Sequence, residues 1–406
     1  MTTKYGRSAW IDRFPKSRVP SYARHNGPLD TDVAIVGGGL TGCATAYAFA
    51  AAGVKVALFE AGQLGRSGSG PAAGWVPDDL GASFIDVEKA HGLRAARHAW
   101  QSWRRSALDF GALARRLNLK CGLAPRGSLI VAATPEQATR LTREHKARRA
   151  AGVEVSQVSG RAIAAETALA AAMGLRSRTG ATLDPYRATL GLAAAAAARG
   201  AQIFERSPVT RTSFSRRSAE VRTEGGTIRA ARVVIATGTP TDLCRSLARH
   251  VWFRSAFLAL TAAVPAKVRA RLGRRTVVVR DMAAPPHVIR WVDADRLLVM
   301  GADAETPPPR QRDKVIVQRT GQLMYELSTL YPDISGLLPE YGWDAPYART
   351  VDGLPYIGPH RNYPHHLFAF GDVSHGVTGA HLASRILLRH HLGEPDAADE
   401  VFGFNR

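Results

Sequence analysis

Residues 32–60, DVAIVGGGLTGCATAYAFAAAGVKVALFE, decide the fold of this chain. An apolar strand leads into Gly37, Gly39 and Gly42, a helix of small residues follows, and a second apolar run ends at Glu60. The three glycines have the G-x-G-x-x-G spacing of a turn that opens a helix next to a dinucleotide. The pattern therefore predicts a βαβ unit that binds a dinucleotide.

Each of these residues has its own expected task. Gly37 permits the tight turn, Gly39 leaves no Cβ between the backbone and a pyrophosphate, and Gly42 lets the helix lie close to the strand. The first N–H groups of the helix then face the phosphates. Glu60 can accept hydrogen bonds from both hydroxyls of an adenosine ribose. A glycine-rich turn can also serve packing alone, and the unit fits a flavin or a nicotinamide enzyme equally well.

Length and composition limit the class of protein. A chain of 406 residues, 45% of them hydrophobic, is long for one core, so about two domains are expected. No run of about 20 apolar residues occurs, which predicts neither a transmembrane segment nor a signal peptide and favours a cytoplasmic location. The three cysteines are widely spaced without a C-x-x-C pair, and the adjacent histidine pairs diverge, so no disulfide framework and no metal site are expected.

The net charge of +20 raises the question of a nucleic-acid partner. The arginines are spread along the chain in pairs such as Arg104-Arg105 and Arg216-Arg217, without a basic tail, which disfavours nucleic acid. The denser run from Arg140 to Arg149 is interpreted as one exposed helix, which an acidic partner or membrane headgroups could contact. The oligomeric state stays open.

Later segments distinguish the two kinds of cofactor. The loop 62–79, GQLGRSGSGPAAGWVPDD, is rich in glycine, and its Arg66, Ser67 and Ser69 could donate to phosphate oxygens. Amphipathic helices are expected from Val87 to Leu117 and from Pro135 to Ala151, with a short β segment at Gly127 to Ala132 between them. The β-rich runs in 252–301 predict an antiparallel sheet distinct from the nucleotide domain. Near Val377 a second helix begins after a strand, and its N–H groups could stabilise negative charge on a reduced isoalloxazine. Two helix N-termini, one for each end of an extended cofactor, favour FAD over NAD.

The chain resembles the D-amino-acid-oxidase-like FAD-dependent oxidoreductases, which include glycine oxidase, sarcosine oxidase and gamma-glutamylputrescine oxidase. The resemblance covers nearly the whole chain and depends on the segment 32–61 together with LDPYRATLGLAAAAAARGAQIFERSPV, RVVIATG, TVDGLPYIGP and FAFGDVSHGVT. The opening WIDRFPKSRVPSY and the ending VFGFNR resemble the gamma-glutamylputrescine-oxidase-like branch.

This resemblance implies an α/β fold with an α+β second domain. A Rossmann-like FAD-binding domain would comprise 1–80, 151–245 and 345–406, and an antiparallel-sheet substrate domain would comprise 81–150 and 246–344. The implied reaction oxidises a small-molecule amine or amino acid: hydride passes from the amine-bearing carbon to flavin N5, and water hydrolyses the resulting imine. The FAD is expected to be non-covalent, because no cysteine stands where some relatives attach it.

Carried over by residue, the resemblance assigns Glu60 to the adenosine ribose, Val209 to the adenine, and Gly376, Val377 and Thr378 to the pyrimidine end of the flavin. The full set of expected FAD-binding residues is Gly37, Gly39, Leu40, Thr41, Gly42, Glu60, Ala61, Arg66, Ser67, Val209, Gly238, Gly376, Val377 and Thr378. The chain departs from the common pattern at Asp372, Val373 and Ser374, where relatives carry more glycine.

The catalytic residues are harder to assign, because hydride transfer mainly requires alignment of the substrate. His375 beside the flavin helix, Arg290 on a β run and Arg349 before the TVDG turn are the candidates, each weighed against a packing or solvated role. Whether oxygen or another acceptor takes the electrons stays open. So do three other functions: a flavin enzyme acting on a non-amine substrate, a non-catalytic flavoprotein subunit, and an oxidase that acts on a modified RNA base.

Overall fold

The computed structural model of the chain describes residues 2–371 and 376–406. Strands within these residues are β1 (Lys4–Tyr5), β2 (Leu29–Val36), β3 (Val56–Phe59), β4 (Trp75–Pro77), β5 (Ala124–Pro125), β6 (Gly127–Ala132), β7 (Ser156–Ser159), β8 (Met173–Ser177), β9 (Gly180–Thr182), β10 (Gln202–Phe204), β11 (Arg211–Phe214), β12 (Ala219–Thr223), β13 (Gly226–Gly238), β14 (Trp252–Thr261), β15 (Val277–Asp281), β16 (Val288–Val292), β17 (Arg296–Glu305), β18 (Pro339–Arg349), β19 (Tyr356–Pro359) and β20 (His366–Phe370).

The α-helices within the same residues are α1 (Ala9–Asp12), α2 (Leu40–Ala51), α3 (Phe84–His91), α4 (Leu93–Arg116), α5 (Pro135–Ala150), α6 (Gly160–Thr167), α7 (Pro185–Ala197), α8 (Ala266–Arg269), α9 (Arg312–Leu330) and α10 (Gly376–Leu392). Short 3-10 segments lie at Lys16–Arg18, Asp242–His250, Pro332–Ile334 and Ala397–Phe402. No helix in the described part of the chain is long and apolar enough to cross a bilayer.

An eight-stranded sheet carries the glycine turn. Its strand order is β10-β3-β2-β13-β12-β11, and β20 also pairs with β13 and with β19. The strands β10, β3, β2, β13 and β20 pair in parallel, so their carboxyl ends lie at one edge. The buried helix α2 packs against α7 and α10 beside this sheet. The alanines of α2, together with Gly42, which has no side chain, permit this close packing. The predicted βαβ unit and Rossmann-like fold are confirmed.

A nine-stranded sheet forms the other large layer, in the order β1-β18-β14-β17-β16-β15-β6-β8-β7. Its central pairs β18-β14, β14-β17 and β17-β16 are antiparallel, as the alternating apolar runs of 252–301 predict. The helix α9 packs on β14, β17 and β18. A small sheet, β4-β9-β5, lies apart from both large sheets in the strand pairing.

The strand pairing differs in two places from the grouping expected from the sequence. Strands β7 and β8 belong to the nine-stranded sheet, because β8 pairs antiparallel with β6, although 151–245 was grouped with the FAD-binding domain. The strand β18 runs through the expected boundary at 344–345 without a break. The division of the chain into two domains stays a prediction.

Two helix expectations are corrected as well. The helix expected from Val87 to Leu117 is divided at Gly92, which ends α3 and precedes α4 with a φ of 83°. The helix α5 is not exposed on all sides, because Glu144 and Arg148 are buried on its inner face. Hydrophobic periodicity gives no sign that these two charged side chains face inward.

A buried ion network explains why these charges face inward. The Arg148 guanidinium pairs with Asp79, just after β4, and its Nε donates to Glu144 Oε1 at 2.8 Å. Glu144 Oε1 also accepts from the backbone N–H of Phe84 at 2.6 Å, at the start of α3. Burial raises the pKa of Asp79, but the positive charges of Arg148 and Arg280 outweigh it and hold that pKa below its usual range. The network ties α5 to α3 and to the loop after β4.

Arg148→Met is expected to lower the free energy of unfolding by about 3–5 kcal/mol, because two carboxylates then stay buried without their partner. The neighbouring Arg149→Met changes an exposed arginine on the same helix and is expected to stay within about 0.5 kcal/mol of wild type. Urea denaturation of both variants measures the difference. Equal effects of the two substitutions would show that the buried network contributes nothing.

A second buried charge group fixes the β15–β16 hairpin to α9. His287 Nδ1 lies 2.6 Å from Asp281 Oδ2, and Nε2 lies 2.9 Å from Glu326 Oε2. Burial lowers the pKa of His287, but the two carboxylates outweigh it and raise that pKa from 6.5 to about 9. The imidazolium form donates to both carboxylates, whereas the neutral ring has one N–H.

Because the folded-state pKa of His287 lies above the unfolded one, its stabilisation is complete below about pH 6.5 and is lost as the pH rises through about 9. The melting temperature of His287→Gln is therefore expected to lie several degrees below that of wild type at pH 6, with the gap shrinking towards pH 10. Thermal unfolding across this range measures it. His145→Gln, on α5, is the control and should show no such trend.

Candidate functional site

A cavity of about 450 Å³ lies at the carboxyl ends of β2 and β13. Its wall comes from the glycine turn, the end of β3, the loop after it, β13, β18 and the start of α10, and includes residues 36–41, 59–61, 67–69, 208–209, 236–239, 346–347, 369–371, 376–377 and 379–380. Open α/β sheets bind ligands in this crevice beyond the carboxyl ends of the strands.

Most of the residues expected to bind FAD line this cavity. They are Gly37, Gly39, Leu40, Thr41, Glu60, Ala61, Ser67, Val209, Gly238, Gly376 and Val377. Gly42, Arg66 and Thr378 are not part of the wall, and Arg66 is exposed. Within the described residues, no group of three His, Cys, Asp or Glu side chains could hold a metal ion. The assignment of these residues to FAD stays a prediction at the level of individual contacts.

Two glycines hold the turn in place. Gly37 has a φ of 110°, and a Cβ there would lie 2.7 Å from the carbonyl oxygen of Ala236 on β13. A Cβ on Gly42 would overlap the carbonyl oxygen of Gly37 itself. The helix α2 is thus pressed onto the turn, and the turn onto β13. Gly42 therefore permits close packing as expected, but the tightest contact is between α2 and the glycine turn rather than between α2 and the strand β2.

Glu60 is held by backbone donors that the sequence analysis missed. Its Oε2 accepts from the N–H of Gly38 at 2.7 Å, and its Oε1 accepts from the N–H of Gly62 at 2.8 Å. The side chain is buried at the cavity wall, where each carboxylate oxygen keeps a further lone pair for a ribose hydroxyl. The GGG run was the signal that could have pointed to this bond, because the backbone N–H of its middle residue, Gly38, faces the end of β3.

The N-terminus of α2 faces the cavity with backbone N–H groups. The N–H of Leu40 donates to Ser69 Oγ at 2.7 Å, so Ser69 accepts here, and this bond does not use the O–H that was expected to donate to a phosphate oxygen. A Cβ on Gly39 would lie 3.0 Å from this hydroxyl. Backbone donors at the start of a helix are of the kind that hold phosphate oxygens.

The opposite end of the cavity is formed by α10. Gly376 and Val377 line it, and no atom of the described residues lies within 4 Å of a Cβ built on Gly376 or on Gly238. Thr378 instead fixes the helix, because its Oγ1 donates to the carbonyl of Pro77 at 2.8 Å. Residues that leave their backbone open at both ends fit an extended cofactor such as FAD. The candidate His375 lies outside the described residues.

The two arginine candidates are not brought together. Arg349 is exposed at the end of β18, two residues after Tyr347, which lines the cavity and whose hydroxyl donates to Asp303. Burial and the Asp303 charge raise the pKa of Tyr347 above its usual range, which keeps the hydroxyl protonated. Arg290 is buried in β16 and lines a second cavity rather than this one. The catalytic roles of Arg349 and Arg290 stay predictions.

Gly42→Ala is expected to reduce the amount of dinucleotide that co-purifies with the protein and to destabilise it by about 1–3 kcal/mol, because the added methyl group forces α2 off the turn. The matched control is Gly321→Ala on α9, where no atom lies within 4 Å of the new Cβ; it should equal or exceed wild type by up to about 1 kcal/mol. Absorbance of the released cofactor and thermal unfolding measure both effects. Full cofactor retention by Gly42→Ala would contradict the close contact.

Comparison with known proteins agrees with this geometry. The chain is 24% identical to gamma-glutamylputrescine oxidoreductase of Escherichia coli over 377 residues, covering 92% of this chain and 86% of the relative. It is 29% identical to glycine oxidase of Geobacillus kaustophilus over 354 residues, covering 85% and 89% of the two chains. The crystal structure of a glycine oxidase from Geobacillus kaustophilus superposes with a TM-score of 0.75 at 23% identity, covering 93% of this chain and 99% of that one.

A sequence profile for the DAO family, described as FAD dependent oxidoreductase, matches residues 32–389. This match spans the glycine turn, both large sheets and the start of α10. The protein therefore belongs to the DAO family of FAD-dependent oxidoreductases.

Proposed function

We propose that this enzyme oxidises a small amine or amino acid at the carbon that bears the nitrogen, with non-covalently held FAD. The observation that carries the proposal is the single cavity that joins the N-terminus of α2, the Glu60 carboxylate and the N-terminus of α10. The names of two relatives point to the substrate class, since one is a gamma-glutamylputrescine oxidoreductase and the other a glycine oxidase.

The residues of the cavity would divide the cofactor between them. Glu60 would accept hydrogen bonds from the adenosine ribose, and the first N–H groups of α2 would hold the pyrophosphate. The N-terminus of α10 would stabilise negative charge at the far end of the cofactor. When bound there, FAD would supply the acceptor for a hydride from the substrate, which leaves an imine for water to hydrolyse.

The substrate side is proposed to be the wall that β18 contributes. Tyr347 reaches this wall with its hydroxyl committed to Asp303, and Arg254 Nη2 donates to the carbonyl of Asp303 at 3.2 Å. Burial raises the pKa of Asp303, although Tyr347 and the charges of Arg254 and Arg349 lower it. A cavity tyrosine held in place by an acid is suited to orient the polar end of a small substrate, and the positive charge of Arg349, which acts on Tyr347 and Asp303, would attract a carboxylate.

The test is anaerobic addition of a panel of primary amines, secondary amines and amino acids to the purified yellow protein. Bleaching of the flavin absorbance by one class of compound is expected, and the class that acts names the substrate. Reoxidation in air compared with reoxidation by a dye then separates an oxidase from a dehydrogenase. A protein that carries FAD and is reduced by dithionite, but by none of the amines or amino acids, would refute the proposed substrate class.

A non-catalytic flavoprotein subunit is the alternative kept from the sequence. It predicts a spectrum that no small substrate changes, together with a partner chain that co-purifies with the protein. Bleaching by the isolated chain would refute it.

A further inference from the structure

A second cavity, of about 430 Å³, lies behind the cofactor site. One wall comes from α1, another from residues 121–126, and a third from the turn between β16 and β17. The backbone at Ala72 and Gly74 separates the two cavities: Ala72 lines the first, and the Gly74 Cα faces Leu183 and the Arg290 guanidinium of the second. The second cavity is thus a distinct space that the FAD assignment does not use.

Positive charge dominates this second cavity, which we call the arginine cavity. Six arginines line it: Arg13, Arg126, Arg187, Arg274, Arg275 and Arg290. Arg13 pairs with Asp293 at 2.8 Å and with Glu340 at 3.1 Å, and Arg187 pairs with Asp184 at 3.2 Å. Among the residues that the structure describes, no carboxylate lies within 4.0 Å of the other four. Asp184 and Asp293 line the cavity as well, so six arginines face two aspartates there and an excess of positive charge remains.

Arg290 is the most unusual of these four. It is 5% exposed, its Nη2 donates to the carbonyl of Leu183 at 3.1 Å, and its buried Nε has no partner among the described residues. Arg275 is half-buried; its Nη1 donates to the carbonyl of Ala294 at 3.0 Å, and its Nε has no partner among the described residues. Burial lowers the pKa of Arg290 to about 9, although the charges of Asp184 and Asp293 act in the opposite direction. A buried guanidinium that no carboxylate contacts directly is costly.

Aromatic rings hold both guanidinium groups in place. The Arg290 guanidinium lies 4.9 Å from the centre of the Trp10 ring, and that of Arg275 lies 5.3 Å from the centre of the Trp291 ring. Stacking on a ring orients the plane of a guanidinium, so little conformational entropy remains to be lost when an anion binds. Packing alone does not explain why two guanidinium groups without a carboxylate partner are oriented beside an open cavity.

We propose that the arginine cavity binds a small multivalent oxyanion, either a di- or tricarboxylate or inorganic phosphate. The guanidinium fork matches the two oxygens of a carboxylate or of a phosphate, and such charge-assisted pairs are the strong ones. The cavity volume suits a compact ligand rather than a nucleic acid strand, which would need a continuous basic track. No described residue lines both this cavity and the FAD cavity.

Isothermal titration of the FAD-loaded enzyme with citrate, and separately with inorganic phosphate, tests this proposal at an ionic strength held constant with chloride. One saturable site for at least one of the two anions is expected, and the anion that binds identifies the carboxylate or the phosphate class. The double variant Arg126→Ala and Arg274→Ala changes two exposed arginines of the cavity and is expected to weaken binding about tenfold or more.

The matched control is Arg216→Ala with Arg217→Ala, which removes the same charge from exposed residues between β11 and β12. Binding by this control should equal that of wild type. The proposal is overturned if neither anion saturates a site on the wild-type enzyme. It is also overturned if both double variants weaken binding equally, since that result would show only the net charge of the protein.

Discussion

The close contact between the glycine turn and β13 is the constraint on which the rest of the structure depends. The carbonyl of Ala236 leaves no room for a side chain at Gly37, and the carbonyl of Gly37 leaves none at Gly42. These contacts fix where α2 begins, and therefore where its free N–H groups point. The same strand β13 pairs with β2 on one side and with β12 and then β20 on the other, so the cofactor edge is built from strands distant in the sequence.

A buried ion pair and a buried hydrogen bond connect helices to the segment around β4. Arg148 fastens α5 to the loop after β4, and Thr378 fastens α10 to Pro77 in β4 itself. The segment 75–79, which contains β4 of the small sheet, thus receives contacts from both α5 and α10.

Local sequence patterns predicted the secondary-structure elements, whereas contacts between residues distant in the sequence could not be predicted from them. The βαβ unit, the strand Gly127–Ala132 and the antiparallel sheet follow from short-range periodicity and glycine spacing, and the structure has them. The pairing of β8 with β6 could not be foreseen, because strand partners are chosen by tertiary packing and not by composition. The same holds for the site: Glu60 was found from its spacing, whereas its donor Gly38 and the acceptor Ser69 depend on backbone positions that only the fold defines.

The excess of arginine illustrates the limit of a composition argument most clearly. Along the sequence the arginines are spread in pairs, and the simple explanation is that their side chains are solvated at the surface. In the fold they fall into different environments: Arg216 and Arg217 are exposed, Arg148 is paired within the core, and Arg290 is buried with no carboxylate of the described residues within 4.0 Å. Only the third environment calls for a ligand, since water satisfies the first and carboxylates the second. The two cavities therefore attract negative charge by different means: helix N-termini and backbone N–H groups in the first, and guanidinium groups oriented on tryptophan rings in the second.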